Sequence, residues 1–203
     1  MKARDWQRFM DAQRRGHGKI VFSVTELANV ADTSLHALNV ELGRLLRQGV
    51  LVRYARGKYG LPGGVPPEEL VPAMDSHAYL TGAYALCRHN LITQIPAEIT
   101  CFTNRRHNKS RVRTTPVGRF AFVCVSRRVY SEPTGSVLAG AEQALCDFVY
   151  LLRRRGLRPE SVVTFRNLDK VRPSRRMLNR YPASVRNSVL ALLAGPGRVA
   201  RAP

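Results

Sequence analysis

The sequence predicts an α+β protein with an N-terminal winged helix-turn-helix followed by a larger mixed α/β domain. Two observations predict this class: helix-like and strand-like apolar patterns alternate along the 203 residues, and a proline- and glycine-rich stretch divides them. We therefore expect a first domain over 1–62, a linker over 63–75 in which neither helix nor strand is favoured, a second domain over 76–195 and a flexible tail over 196–203.

The first domain is predicted to begin with a helix and a short strand. Trp6, Phe9 and Met10 recur at helical spacing, and the helix is expected to end near Gly16. The apolar run IVF at 20–22 is typical of a short strand. The first segment is therefore a helix followed by a strand.

A second helix is predicted to follow at once. Ser23 and Glu26 have the spacing of a capping box, in which each side chain accepts a hydrogen bond from the other residue's backbone N–H. Leu27, Ala28 and Val30 are expected to point inward from this helix. It is predicted to break at Asp32-Thr33-Ser34.

The third helix and a hairpin complete the first domain. The helix is expected to end at Gly49, and five leucines form its apolar stripe: Leu35, Leu38, Leu42, Leu45 and Leu46. The run VLVRYARGKYGLP then alternates around a turn at Arg56-Gly57-Lys58, which predicts a β-hairpin. This order of elements is typical of a winged helix-turn-helix, whose third helix enters the major groove of DNA.

The second domain is predicted from longer apolar segments. A helix is expected after His77, then a strand in EITCFT, a basic loop over 104–118 and a buried strand in RFAFVCV. The run LAGAEQALCDFVYLLRRRG predicts a long amphipathic helix. A short strand-like run over 162–165 and a helix over 184–193 follow.

Charge indicates the class of partner. The chain carries 33 Lys and Arg against 14 Asp and Glu, a net charge of +19. Residues 1–72 contribute +4 and residues 73–203 contribute +15. This balance favours polyanions. Because no signal peptide and no apolar span of about 18 residues is visible, we expect a cytoplasmic protein that binds nucleic acid rather than membrane.

Two basic surfaces are candidates for DNA contact. The first combines the polar face of the third helix with the hairpin, and its candidate residues are Ser34, His36, Asn39, Val40, Arg44, Arg47, Arg53, Arg56 and Lys58. Glu41 is predicted on the same face, where a negative charge is unfavourable unless it accepts from a cytosine amino group. The alternative is an ordinary solvated helix face.

The second candidate surface is the basic loop of the second domain. Its residues are Arg105, Arg106, Lys109, Arg111 and Arg113. They would neutralise DNA phosphates, and the alternative is a solvated loop. Arg153-Arg154-Arg155 either complements a helix dipole or binds an anion. Arg172, Arg175, Arg176 and Arg180 could extend the patch.

The sequence offers no catalytic or metal-binding pattern. The cysteines are interpreted as buried thiols rather than zinc ligands: Cys87, Cys101, Cys124 and Cys146. Glu142 and Asp147 are expected to be structural, pairing with an arginine or capping a backbone. No HExxH, P-loop or GxSxG motif is present. We therefore expect neither an enzyme nor a bound cofactor or metal.

Short motifs along residues 20–172 resemble one family. The hairpin ends in RGKYGLP, the segment before EITCFT includes YAL and QIP, a TPVGRF turn follows the basic loop, and the long helix contains AEQALCD. In their order and spacing these motifs are similar to those of the AbiE-type antitoxins, which are transcriptional regulators of bacterial type IV toxin–antitoxin (abortive-infection) operons.

The resemblance implies a function with two parts. The winged helix would repress its own operon by binding inverted repeats in the promoter, and a monomer in solution that binds DNA cooperatively is compatible with this. The second domain would neutralise a nucleotidyltransferase-like toxin without forming a stable complex. The alternative is an RNA-binding accessory protein that uses its basic second domain. The operator, the oligomeric state, the toxin's target and the role of residues 173–203 stay open.

Overall fold

The chain is a mixed α+β protein, as the sequence predicts. The computed structural model describes residues 2–106, 111–133 and 135–194. It divides into two compact units: the first comprises Met1–Ser76 with Arg113–Arg119, and the second comprises His77–Val112 with Phe120–Pro203. The predicted tail over 196–203 lies outside the described residues.

The first unit has the order of elements predicted for residues 1–62. Its elements are α1 (Ala3–His17), β1 (Phe22–Ser23), α2 (Val24–Ala31), α3 (Leu35–Arg47), β2 (Val52–Ala55), β3 (Lys58–Gly60) and α4 (Pro67–Met74). The three strands form an antiparallel sheet in the order β1-β3-β2. The hairpin strand β3 is therefore the central strand.

Caps define the two helices in the middle of this unit. Ser23 Oγ accepts from the Glu26 backbone N–H at 3.2 Å, and Glu26 Oε2 accepts from the Ser23 backbone N–H at 2.7 Å. The predicted capping box is thus confirmed. Asp32 ends α2 in the left-handed conformation, with φ 48°, and Ser34 caps α3. The sequence therefore sets the sharp break between the helices.

Leucines and aromatic residues fill the core of the first unit. Its fully buried side chains include Trp6, Met10, Phe22, Leu27, Leu38, Leu42, Leu45 and Leu51. Two inward predictions were wrong, because Leu35 is 54% exposed and Val30 is 41% exposed. Leu35 is the first residue of α3, ahead of the buried stripe, and Val30 lies beside the arc of α2 that faces the core.

The expectation that neither helix nor strand forms over 63–75 was wrong, because this stretch contains the helix α4. Pro67 occupies the first helical turn, where proline's missing N–H costs nothing, and Glu68 and Glu69 complement the helix dipole. Leu70 and Val71 are fully buried. Burial of this apolar pair outweighs the turn-like composition that the sequence displays.

The second unit is built around a four-stranded sheet. The elements that follow residue 77 are β4 (Tyr79–Thr81), α5 (Gly82–Arg88), β5 (Ile99–Thr103), β6 (Val112–Thr115), β7 (Gly118–Cys124), α6 (Ala141–Arg154), α7 (Arg175–Leu178) and α8 (Ala183–Ala194). Within the β6–β7 hairpin, residues 113–119 are grouped with the first unit. The strand order is β4-β5-β7-β6, with β4 antiparallel and β7 parallel to β5. The predicted strand EITCFT, the buried strand RFAFVCV and the long helix are confirmed.

Two other predictions for this unit were wrong. The basic loop over 104–118 contains β6, where the β-branched Val112, Thr114 and Thr115 favour a strand. The strand-like run over 162–165 forms only an isolated bridge between Ile92 and Phe165.

Helix α6 is the centre of the second unit. Its residues 143–149 are all buried, and it packs against α5, α8 and β4. A helix that is buried on every side must satisfy any polar group that it carries. This helix carries two, Gln143 and Asp147. None of the described helices combines the length and apolar character needed to cross a bilayer.

Candidate nucleic-acid interface

Helix α3 has one face in the core and the other in solvent. His36, Asn39, Val40, Arg44 and Arg47 are all exposed, and 65% of Val40 is accessible. Residues 36, 40, 43 and 47 follow one another at intervals of about one turn along one line of the helix. The predicted contact residues of α3 therefore share one exposed surface.

Gly43 lies in the middle of this surface. A Cβ added there would meet no atom within 4 Å. Glycine costs an exposed helix about 1 kcal/mol relative to alanine. Nothing in the part of the chain that the structure describes therefore requires glycine at this position.

Glu41 does not belong to the exposed face, contrary to the sequence prediction. Its Oε1 accepts a hydrogen bond from Trp6 Nε1 at 3.0 Å, and its side chain is only 19% exposed. Arg44 NH2 lies 3.9 Å from the same oxygen. The carboxylate therefore fastens α3 to α1 and leaves the solvent face without an acidic side chain.

Ser34 is exposed and also caps helix α3. Its Oγ accepts from the Ala37 backbone N–H at 3.3 Å, which caps α3. The hydroxyl proton is not used by that bond. Ser34 can therefore still donate to an anion at the start of the helix.

The β2–β3 hairpin places its cations beside a well-anchored turn. Arg53 and Arg56 are exposed and Lys58 is half-buried. The turn is held because the Val24 backbone N–H donates to the Gly57 carbonyl at 3.1 Å. The hairpin tyrosines pack inward: Tyr54 and Tyr59 are both buried, and the Tyr54 hydroxyl donates to the Leu61 carbonyl at 2.7 Å.

The second predicted surface is not a single loop. Arg105 and Arg106 are exposed after β5, and Arg105 NH2 donates to His77 Nε2 at 2.6 Å. Arg111 immediately precedes β6, whereas Arg113 is half-buried within β6 and donates to the Met74 carbonyl at 3.3 Å. Arg113 is assigned to the first unit. Lys109 lies outside the described residues.

Sequence reasoning missed a basic groove in the second unit. Its volume is about 500 Å³, and its lining includes Arg111 beside β6 and Arg154 and Arg155 at the end of α6. Cys124, at the end of β7, also lines it. Cys124 is exposed, so the prediction of a buried thiol was wrong here, whereas Cys101 and Cys146 are buried.

A buried polar network surrounds Asp147. Its carboxylate is fully buried and accepts from the Tyr79 hydroxyl at 3.0 Å, the Thr81 hydroxyl at 2.7 Å and the Tyr181 hydroxyl at 2.7 Å. Gln143 Nε2 donates to it at 3.1 Å. The predicted arginine partner is replaced by these hydroxyl and amide donors. Burial raises the pKa of Asp147 to about 6, although the donated hydrogen bonds oppose the shift.

Arg180 has a structural role and does not extend a binding surface. Its guanidinium donates to the carbonyls of Val129 and Tyr130, to Ser131 Oγ and to Gln143 Oε1. Its Nε donates to the Arg128 carbonyl. Every nitrogen of the group is thus committed within the second unit.

Comparisons with known proteins assign no family. No family model and no curated protein matches the chain. Within the described ranges, no three His, Cys, Asp or Glu residues cluster as metal ligands would. A function must therefore be argued from the geometry of the surfaces above.

Proposed function

We propose that the first unit is a winged helix-turn-helix that binds double-stranded DNA. Helix α3 would enter the major groove and the β2–β3 hairpin would act as the wing. The observation that carries the proposal is the division of α3 into a leucine face in the core and a face of His36, Asn39, Val40, Arg44 and Arg47 in solvent.

The side chains on this face suit different parts of a DNA site. Asn39 and His36, nearer the start of α3, can hydrogen-bond base edges, and Val40 can contact a thymine methyl. Arg44 and Arg47, nearer its end, suit phosphates, as do the wing cations Arg53 and Arg56 and the half-buried Lys58. With Glu41 held by Trp6, no carboxylate on this face opposes the approach of a phosphate.

The proposal extends to regulation of the protein's own operon. The motif resemblance supports an AbiE-type autorepressor and antitoxin that acts against a nucleotidyltransferase-like toxin. A reading frame for a nucleotidyltransferase-like protein next to the gene would support the antitoxin role. Binding to upstream DNA tests the repressor part independently of the toxin.

We expect substitutions on α3 to separate affinity from specificity. Arg44→Ala with Arg47→Ala should weaken binding to all DNA at least about tenfold and reduce the salt slope by about 2, because two phosphate contacts are lost. Asn39→Ala should cost about 1–3 kcal/mol on the specific site only. Fluorescence anisotropy on the upstream DNA and on a scrambled duplex, at about 150 mM salt, measures both.

The matched control is Arg4→Ala with Arg8→Ala. Both residues are exposed on α1, so this variant loses the same charge away from α3. Equal losses in the two double variants would mean that binding depends only on net charge. Equal binding of the upstream and scrambled duplexes would reject specific readout, and displacement of the operator by structured RNA would favour the RNA-binding alternative.

Gly43→Ala should stabilise the protein and weaken DNA binding at the same time. The added methyl would meet none of the described atoms within 4 Å, so the first unit should gain about 0.5–1 kcal/mol. Against a closely fitted groove the same methyl should cost about 5- to 100-fold in affinity. Urea unfolding and anisotropy measure the two effects, and unchanged affinity would place the DNA away from the middle of α3.

A further inference from the structure

The basic groove of the second unit has the dimensions of a small-ligand site. Its volume of about 500 Å³ falls within the range of pockets that hold small molecules, about 300–1,000 Å³. Strand β7 and Leu151 of α6 supply its apolar lining, and Arg111, Arg154 and Arg155 supply its charge. All of these residues belong to the second unit.

The three arginines are available to a ligand. All three are exposed, and in the part of the chain that the structure describes none forms an ion pair with a carboxylate. Arg154 also lies over an aromatic ring, with its guanidinium 5.6 Å from the centre of the Tyr150 ring. Glu98 is the acid of the described lining, and it already interacts within the protein.

The dipole of α6 does not cancel this charge. The C-terminal end of a helix carries about half a negative charge, which is one structural reason for arginines there. Arg154 and Arg155 bring two positive charges to that end, and Arg111 adds a third from another element. The three arginines therefore outweigh Glu98 and the helix dipole, and the groove keeps a net positive charge.

We propose that this groove binds the phosphates of a nucleotide-sized ligand, either a free nucleoside triphosphate or the phosphorylated end of a nucleic-acid strand. One guanidinium group can bind two phosphate oxygens at once. Three guanidinium groups therefore suit a polyphosphate, which carries several negative charges close together. A duplex is too wide for a cavity of this volume. The ligand and the surface both differ from those of α3, so this inference does not depend on DNA binding by the first unit.

Cys124 provides the reporter for the test. It is the exposed cysteine, and it lines the groove, whereas Cys101 and Cys146 are buried and Cys87 is half-buried. A ligand in the groove should slow alkylation of Cys124 by iodoacetamide, followed by peptide mass spectrometry. The probes are ATP, tripolyphosphate, and a short oligonucleotide with either a 5′-phosphate or a 5′-hydroxyl, at up to millimolar concentration.

Charge-matched variants separate the groove from the overall charge. Arg111→Gln, Arg154→Gln and Arg155→Gln together should raise the half-protecting concentration at least about 30-fold. The control changes three exposed arginines outside the groove, Arg127, Arg153 and Arg158, to glutamine. It should change protection less than about threefold, because exposed charges that do not line the groove are screened by solvent and salt. If losing the contact between Arg154 and the Tyr150 ring impairs folding, the double variant Arg111→Gln with Arg155→Gln replaces the triple variant in this test.

The outcomes identify the ligand or overturn the site. Protection by ATP and tripolyphosphate alone indicates a free nucleotide, and stronger protection by the 5′-phosphorylated oligonucleotide than by its hydroxyl form indicates a strand end. The proposal is overturned if no probe slows alkylation of Cys124, or if the control triple loses as much protection as the groove triple. Loss of operator binding in α3 variants would leave either result unchanged.

Discussion

Gly60→Ala is expected to lower the stability of the first unit by about 3 kcal/mol or more. A Cβ at this position would lie 2.3 Å from the Ile20 carbonyl oxygen and 3.1 Å from Tyr54 Cε2. Gly60 cannot move away easily, because it pairs with Val52 at the end of the central strand of the sheet. Trp6, the single tryptophan, is buried in the same core, so its fluorescence in urea measures the loss.

Gly43→Ala is the matched control for this substitution. It makes the same chemical change where no atom lies within 4 Å, and it should shift the urea midpoint upward. Gly60→Ala should also reduce the fraction of protein able to bind DNA, since α3 and the wing belong to the destabilised unit. An unchanged midpoint for Gly60→Ala would show that the close approach of Gly60 to Ile20 is wrong.

Asp147→Ala is expected to destabilise the second unit by about 3–5 kcal/mol. The change removes the acceptor that Tyr79, Thr81, Gln143 and Tyr181 share, and it leaves buried donors unpaired. Hydrogen exchange of the α6 amides measures this unit separately from the first. Glu142→Ala, on the same helix but only half-buried, should cost less than about 1 kcal/mol. Similar losses in both variants would rule out a special role for the network.

The same carboxyl should give the second unit an unusual pH dependence. Its pKa is about 6 in the folded state and near 4 when unfolded, so between these values the folded state binds more protons. The unfolding free energy should therefore fall as the pH rises from about 4 to 6, by up to about 3 kcal/mol from this group. Asp147→Asn should lack this component, and the difference between the two proteins should be constant above about pH 7.

Local signals predicted most of the first unit. The capping box of Ser23 and Glu26 and the leucines of α3 act over one or two turns, so the sequence shows them directly. Helix α4 was missed because its composition favours turns, while its stability comes from burial of Leu70 and Val71. Burial of that kind depends on distant residues and is invisible in a local window.

The candidate sites also differ in whether local sequence patterns could predict them. The exposed residues of α3 follow from helical spacing, and most of them were predicted. The basic groove was missed because Arg111 and Arg154 are 43 positions apart and come together only through the packing of α6 beside the sheet. The donors to Asp147 were missed for the same reason, because Tyr79 and Tyr181 lie 68 residues before it and 34 after it.

The position of Tyr181 late in the chain has a consequence for biosynthesis. The ribosome completes α6 long before it adds Tyr181, Arg180 and the buried residues of α8. Until then, Asp147 lacks one of its donors and the second unit lacks part of its core. The nascent second unit therefore cannot close during most of its own translation. An incomplete unit exposes apolar surface of the kind that chaperones bind and proteases cleave, so truncation before Tyr181 should leave the second unit open and short-lived.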